Sequence, residues 1–557
     1  MELVEEIKRA VEYTKQKEYK KAEKIYLELL KEYPDNNTVL SFLGLLYLNQ
    51  NKFKKAEKYL EKSHKICESP MIITYLGLCK YYLTSYKAAI PYLEKAVVET
   101  KSYDVYNALI KSLSKNRNYK KAVEYAYEAH KLFPANEIFL CSIAYNSLLS
   151  GLFKECEDAV KKLLFINPKS TAAWHVKGLL QEVLYFNEKG ARECYSKMVR
   201  YGSKADGYIN LAISYSKDTS TRKKMYYCLQ KAKSINPEIH GLNFLYASYY
   251  LSQRQFKKGY KYYVRRDMNS QDDIDWFKRF KRPWKGGNYK SETLLIYGDQ
   301  GLGDQIQFFR YLPFIAKKFK SLKVVVAESL IDLFKRSYEN NKNIKFYKRE
   351  NKRLPSYDKS AFMAALIYYL NKGFKNIPYS AGYLISDDKK IEEYKTKYFN
   401  TDNLKIGICW EAGAAAIHDQ IHRILNVELF EDIINMPDAK VYSFQVKPSL
   451  ENYKKYPNLI DLGATFNDFD DTAAALKNLD ILVTVDTSVA HLAGALGVKT
   501  FMILPYCPDW RWFDNDKTTE WYDSITIFKQ KINEDWDTVF ERIVKQLSLS
   551  IDPLNKL

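Results

Sequence analysis

The sequence predicts an α-helical solenoid followed by an α/β body of two lobes. Three observations predict it. The first half carries a motif that returns every 33 or 34 residues, the second half alternates short apolar runs with helical stretches, and an aromatic segment broken by Pro and Gly lies between them. The chain has 557 residues, of which 46% are hydrophobic and 28% charged. That length exceeds one domain, and that balance describes a folded chain rather than a disordered one. With only 21 Gly and 16 Pro, collagen-like and low-complexity classes are excluded.

The repeat begins with YKKAEKIYLELLKEYPDN at Tyr19 and returns as FKKAEKYLEKS from Phe53, YKAAIPYLEKAV from Tyr86 and YKKAVEYAYEAHKLFPAN from Tyr119. Weaker copies start at Phe153 and Phe256. Ala22, Ala56, Ala89, Ala122 and Cys156 lie 34, 33, 33 and 34 residues apart. A preceding segment places Gly44, Gly77, Ala144 or Gly178 in an apolar setting, and Pro34, Pro134, Pro168 and Pro237 close units. This is the tetratricopeptide pattern of two amphipathic helices per unit, in which small residues let the two helices approach. No unit buries its apolar face alone, so the stack is the fold. About eight units are expected, the last ending near Arg266, within an array spanning 1–270.

The charge sum is 87 − 67 = +20. That allows an anionic partner without naming one. Lys20–Lys21, Lys54–Lys55, Lys120–Lys121 and Lys257–Lys258 recur at one place in their repeats. They are either a solvated helix edge or a positive ridge for an acidic protein. No recognition motif or Arg-rich arm points to nucleic acid. A repeat array of this kind implies a polypeptide partner by class.

A connector is expected at 271–292, a first α/β lobe at 293–400 and a second at 401–557. Strands are expected at 293–298, 322–327 and 344–348, then at 404–410, 440–445, 481–486 and 499–505. Strands separated by helices imply parallel sheets and a Rossmann-like layering. The charged segment 386–402 reads as a linker between two lobes that face each other across a cleft. The eight Cys include no CxxC pair, which suits a reducing cytoplasm. The first residues lack a signal-peptide apolar core. The apolar stretch from Ile481 to Pro505 contains Asp486, His491 and Lys499, so it reads as buried core and not a membrane span.

Three segments carry candidate chemistry. In GDQGLGDQIQFFRYLPF, Gly301 and Gly303 give a turn without side chains, where a ligand can approach the backbone. Asp304 is there either a helix cap or a carboxylate able to take a proton from an attacking hydroxyl. In VDTSVAHLAGALGVK, Asp486, Thr487 and Ser488 meet a helix N-terminus that favours an anion, with His491 one turn in. The alternative is ordinary capping and a satisfied buried histidine. In ICWEAGAAAIHDQIHRILNVELF, His418 and His422 stand four apart, but no third ligand is evident and no metal is expected. Arg423 could reach a phosphate and Trp410 could stack on a base. Acidic strings at Asp468–Asp470 and Asp514–Asp516 are too common in loops to count.

Together these residues resemble a known family. GDQGLGDQIQFFRYLP is similar to the segment EQGLGDxIQFxRYLP of bacterial tetratricopeptide-repeat glycosyltransferases, relatives of the lipopolysaccharide heptosyltransferases. DFDDTAAALKNLDILVTVDTSVAHLAGALG and LPYCPDWRW resemble that family's C-terminal lobe, and QFKKGYKYYVRR with RPWKGG echoes its lead-in. The resemblance covers roughly 256–530. It implies a GT-B fold, with the acceptor on the first lobe and a nucleotide-sugar on the second. It implies Asp304 as base, Asp486, Thr487 and Ser488 holding the donor diphosphate, and Arg423, Gln445, Trp510 and Arg511 as weaker correspondences; His491 and Trp410, read from the residues themselves, are counted with the donor side. Gln305 departs from the family's frequent Thr, and the Ala-rich run after Trp410 replaces a usual Asn-Pro. Repeat arrays joined to GT-B lobes also occur in O-GlcNAc transferase and in flagellin glycosyltransferases, where the array presents a protein.

The sequence therefore predicts a cytoplasmic, inverting, metal-independent glycosyltransferase with no cofactor, acting on a protein such as flagellin. The alternatives are a non-catalytic tetratricopeptide scaffold with a decayed transferase body, or a transferase acting on lipopolysaccharide or another glycan.

Overall fold

A computed structural model describes every residue except Met1, 267–281, 300, 350–353, 371–376, 414–424, 447–451, 514–516, 532–533 and 552–557. The chain forms two compact units, Met1–Gly207 and Tyr208–Leu557.

The first unit is a tetratricopeptide-type helical solenoid. Helices such as Tyr19–Glu32, Asn37–Asn49, Phe53–Ile66, Pro70–Tyr82 and Tyr86–Thr100 follow one another through short turns, each packed on its neighbours. The small residues do what their spacing implies. Ala22, Ala56, Ala89, Ala122 and Cys156 are all fully buried. A Cβ on Gly44 would lie 2.6 Å from Leu60 Cγ, and one on Gly77 would lie 2.9 Å from Leu93 Cδ2. The turn inside each unit closes on one left-handed residue, at Lys17, Asn51, Thr84, Arg117 and Gly151. The next unit then starts on a side-chain cap, such as Asn36 accepting from the Val39 N–H or Ser69 from Ile72. The periodic lysines partly serve the stack itself. Lys55 pairs with Glu23 at 3.8 Å and Lys121 with Glu94 at 2.7 Å, each reaching the preceding unit.

The second unit begins with repeat-like helices, including Arg222–Ile235, Leu242–Ser252 and Phe256–Tyr263, and continues into two sheets. The array expected to run to 270 therefore divides at Gly207. The reason is Tyr260 and Tyr263, which are buried in one apolar core with the strands that follow.

The first sheet contains β1 (Tyr289–Tyr297), β2 (Phe319–Val326), β3 (Ile344–Lys348) and β4 (Lys359–Phe362), in the order β3-β2-β1-β4 and all parallel. The second contains β5 (Leu404–Cys409), β6 (Ala439–Ser443), β7 (Leu459–Asp461), β8 (Ile481–Val485), β9 (Thr500–Leu504) and β10 (Ile525–Lys529). Its order is β10-β9-β8-β5-β6-β7, again all parallel. That is the six-strand Rossmann order, whose direction reverses between β5 and β8. The first sheet reverses between β1 and β4. All seven expected strands are present, and β4, β7 and β10 are additional.

The described part of the expected connector is tied to the first sheet. Trp284 is fully buried, its N–H donates to the Ser360 carbonyl at 2.8 Å, and its ring meets Phe319. The expected linker 386–402 is instead largely a helix, Asp388–Tyr398, capped by Asp387. It carries Lys390 to Asp471 at 2.6 Å, while Arg336 of the first lobe holds Asp470 at 2.8 Å. Asp468 of the same acidic string caps the helix Phe469–Leu476. The open cleft expected between the lobes is closed over much of its length by a shared apolar core that includes Phe308, Leu312, Leu492 and Trp521. Arg310, fully buried, donates to the Trp521 carbonyl at 2.8 Å and lies 4.6 Å from the Tyr383 ring. Among the described residues, no helix is long and apolar enough to cross a membrane.

The tight approaches in the solenoid give a direct check. A Cβ at Gly178 would stand 2.3 Å from Cε1 of the buried Tyr195 ring. Gly178→Ala should destabilise the protein by about 1–3 kcal/mol in denaturant unfolding, as overpacking does. An unchanged midpoint would contradict this packing.

Candidate functional site

The site forms where two helix N-termini meet. β1 ends at Tyr297, and Gly298, Asp299, Gly301 and Gly303 carry the chain into the Leu302–Phe309 helix. β8 ends at Val485, and Asp486 and Thr487 lead into the Ser488–Leu496 helix. Both turns leave the C-terminal ends of strands that border a reversal in strand order. Open α/β sheets bind ligands at such places.

The two helices touch through Gly303. A Cβ there would lie 2.7 Å from Cδ2 of His491. The glycine expected to admit a ligand thus first admits a histidine ring from the other lobe. His491 is held on three sides. Its Nδ1 is 3.0 Å from the Tyr522 hydroxyl, its ring stacks on Trp512 at 5.2 Å, and its Nε2 is 4.0 Å from Asp486 Oδ1. Gly301 is the residue before the first helix, and a Cβ on it would lie 2.8 Å from Asp304 Oδ2.

Asp304 sits at the start of its helix with its side chain 22% exposed, ion-paired to Arg511 from the 510–512 turn. Burial pushes this carboxyl up, but the charges of Arg511 and Arg266 outweigh that and hold it below the usual carboxylate value. Arg511 also donates to Asp509 at 2.7 Å and to the Tyr263 hydroxyl at 3.2 Å. A second pair lies beside the first. Asp299, 3% exposed, is ion-paired to Arg266 and accepts from the Ala364 N–H at 2.7 Å. Burial and the nearby Asp304 push Asp299 up, against the pull of Arg266. The Arg266 guanidinium lies 4.0 Å from the Tyr263 ring centroid. Asp299, Arg266, Tyr263, Arg511 and Asp304 thus form one connected, largely buried network.

The other expected donor residues have mostly structural positions. Trp410 is 2% exposed, packed in the second lobe's core with Tyr453, so its ring is not open to stack on a base. Gln445 accepts from the Glu411 N–H at 3.0 Å and from Cys409 Sγ at 3.3 Å, tying the end of β6 to the end of β5. Thr487 caps its own helix by accepting from the Ala490 N–H at 3.3 Å. Ser488, half-buried at the first helical position, keeps its side chain nearest solvent in this turn. Arg423, His418, His422 and Asp514–Asp516 lie outside the described residues. Among the described residues, no group of three or more His, Cys, Asp or Glu is placed to hold a metal.

Of the residues named from sequence, the structure places Gly303, Asp304, His491 and Asp486 beside one another. Sequence reasoning missed Asp299, Tyr263 and Arg266, and it reached Arg511 only through resemblance. Asp299 could have been found, since it stands five residues before Asp304 in the same glycine-rich turn. Gln305, read as a departure, bridges that turn to the end of β2. Its Nε2 donates to the Asp299 carbonyl at 2.7 Å, and its Oε1 accepts from the Ala327 N–H at 3.0 Å.

No protein-family model matches the chain. Protein FlbA of Caulobacter vibrioides is 22% identical over 428 residues, covering 71% of this chain and 70% of that protein. A tetratricopeptide repeat protein from Parabacteroides merdae is 14% identical and aligns over 43% of this chain and 96% of its own, with a TM-score of 0.35. YrrB, described as a tetratricopeptide protein with an unusual peptide-binding site, is 16% identical over 33% of this chain and 94% of its own, with a TM-score of 0.29.

The Asp304–Arg511 pair predicts a pH signature. Asp304 lies below its unfolded value, so its ionised form stabilises the fold above pH about 4, and that contribution is lost as the pH falls further. Arg511→Gln removes the main cause of the depression. At pH 7 it should cost less than the ~3–5 kcal/mol of a fully buried broken pair. The gap in melting temperature between wild type and Arg511→Gln should then narrow as the pH is lowered through about 4. A gap that stays constant would show that the pair carries no linkage.

Proposed function

We propose that the chain is a glycosyltransferase that moves a sugar from a nucleotide-activated donor to a hydroxyl on a polypeptide presented by the repeats. One observation carries this reading. Asp304 and the Asp486–Ser488 turn meet across the Gly303–His491 contact, at the reversal points of two parallel sheets. Two Rossmann-like lobes arranged as a GT-B body put the acceptor on the β1 side and the donor on the β8 side. The residues fit that division, since the carboxylate belongs to the first lobe and the helix N-terminus with Ser488 to the second.

Asp304 takes the proton of the acceptor hydroxyl as its oxygen attacks the anomeric carbon. The bond to the donor phosphate breaks on the opposite face, so the configuration inverts. The leaving phosphate gains negative charge, which the N-terminus of the Ser488–Leu496 helix stabilises with fixed dipoles. No metal is invoked. A nucleotide-sugar donor and eight unbridged cysteines suit a reducing cytoplasm. The repeats hold the acceptor as an extended segment, and a flagellin-type protein fits the resemblance in the sequence.

A second reading is a non-catalytic scaffold. The apolar join between the lobes and the pairing of Asp304 with Arg511 favour it, because both restrict access to the carboxylate.

Transfer assays with purified chain, a panel of nucleotide-sugars and a protein acceptor separate the two. Asp304→Asn should lower the transfer rate by about 10²–10⁴-fold while nucleotide binding survives. Full activity in that variant removes Asp304 as the base. No turnover of any donor by the wild type favours the scaffold.

A further inference from the structure

We infer that Arg511 is an oxyanion ligand shared with the base: in the structure Asp304 holds its guanidinium, and an arriving diphosphate takes over that guanidinium and releases the carboxylate. The inference rests on the transferase reading and adds to it an order of events.

The 510–512 turn has a fixed part and an exchangeable part. The Arg511 backbone is fixed at both ends. Its N–H donates to Asp509 Oδ1 at 3.0 Å, and its carbonyl accepts from the Trp521 indole at 2.8 Å. Asp509 also takes one arm of the guanidinium, from within the same turn. Asp304 is different, because it reaches the other arm from the opposite lobe. Tyr263 offers only a neutral hydroxyl. Asp304 is therefore the partner that an anion can replace without unfolding the turn.

The surrounding side chains have donors to spare. Trp510 and Trp512 flank Arg511 in the chain and are 2% and 0% exposed, the Arg511 guanidinium lies 4.6 Å from the Trp510 ring centroid, and neither indole N–H has a hydrogen-bond acceptor among the described residues. Gln307, fully buried on the Asp304 helix three residues beyond that carboxylate, has neither amide atom paired among the described residues. Buried polar groups in folded chains are nearly always paired. A guanidinium against a tryptophan whose indole donor is unpaired is chemistry for an oxygen-rich anion, in which a fork binds two phosphoryl oxygens. Arg266, already within electrostatic reach of Asp304, offsets part of the added negative charge.

The exchange also changes what Asp304 can do. Paired with Arg511, it is ionised but holds protons weakly. Without that partner the strongest pull against protonation is gone, and burial, which favours the proton, is opposed only by Arg266 and His491. The carboxylate thus becomes a base when the diphosphate is in place.

Titration calorimetry of inorganic pyrophosphate into the full chain, at pH 7 and constant ionic strength, tests this. Wild type should bind. Asp304→Asn, which removes the competitor, should bind roughly threefold tighter or more, and Arg511→Gln should bind at least roughly tenfold more weakly. Arg511→Lys, which keeps the charge but not the fork, should fall between them and serves if Arg511→Gln melts early. The inference is overturned if Asp304→Asn binds no tighter, if Arg511→Gln binds like wild type, or if wild type does not bind at millimolar concentration. Tight pyrophosphate binding by Asp304→Asn, when the wild-type chain itself transfers no sugar, would sink the transferase reading and leave the exchange standing. Wild-type pyrophosphate affinity in an active Arg511→Gln enzyme would do the reverse.

Discussion

The centre of the second unit depends on the missing side chain at Gly303. Any Cβ there would run into His491, and the two helices would have to separate. That close approach joins the two lobes at the site, beside the apolar core they share. It places Asp304 near the Asp486 turn, where Trp512 stacks on the histidine ring. Gly494, on the same helix as His491, repeats the device, since a Cβ on it would stand 2.4 Å from the Tyr522 ring. Tyr522 in turn reaches His491 Nδ1. Small residues at these positions thus position aromatic rings, and the rings position the charges.

The charges are the costly part of this arrangement. Two carboxylates and two guanidinium groups, largely withdrawn from water, cost several kcal/mol each in desolvation unless paired. Each carboxylate has its own arginine, and Tyr263 lies between the two pairs. A chain selected only for stability could fill this space with apolar side chains at less cost. Perturbed, buried, mutually coupled carboxylates are instead a common feature of reactive sites, which is the physical reason for reading a function here. The terminal repeat helix Phe256–Tyr263 belongs to this network through Tyr263, with Arg266 just beyond its end, so the helical and sheet-bearing parts of this unit share one core and one site.

Much of this was legible in the sequence because it is periodic. The Ala and Gly spacing gave the solenoid, and β-branched runs such as ILVTV gave the central strands. β4 and β7 were not legible, because runs of four and three residues carry too little pattern. The Asp388–Tyr398 helix was read as a linker because charged residues dominate it, and its apolar face is only the half-buried Ile391, Tyr394 and Tyr398. The site was half legible. Asp304 and Asp486 stand out beside glycine-rich and helix-start signals. Asp299 shares the glycine-rich turn with Asp304, but its partner Arg266 lies 33 residues earlier in the sequence, and nothing local marks that arginine. Trp410 and Gln445 illustrate the opposite error, since residue types that suit a nucleotide are here used to pack and close the second sheet.

The central claim is that the turn after β8 receives a nucleotide at the junction with Asp304. A thermal-shift screen of the full chain with UDP, GDP, ADP and CMP and their sugar conjugates tests it most directly. The account predicts selective stabilisation by one nucleotide class, lost in Asp486→Ala and Ser488→Ala, because a ligand that binds only the folded state raises its stability. No shift with any of them at millimolar concentration would contradict it.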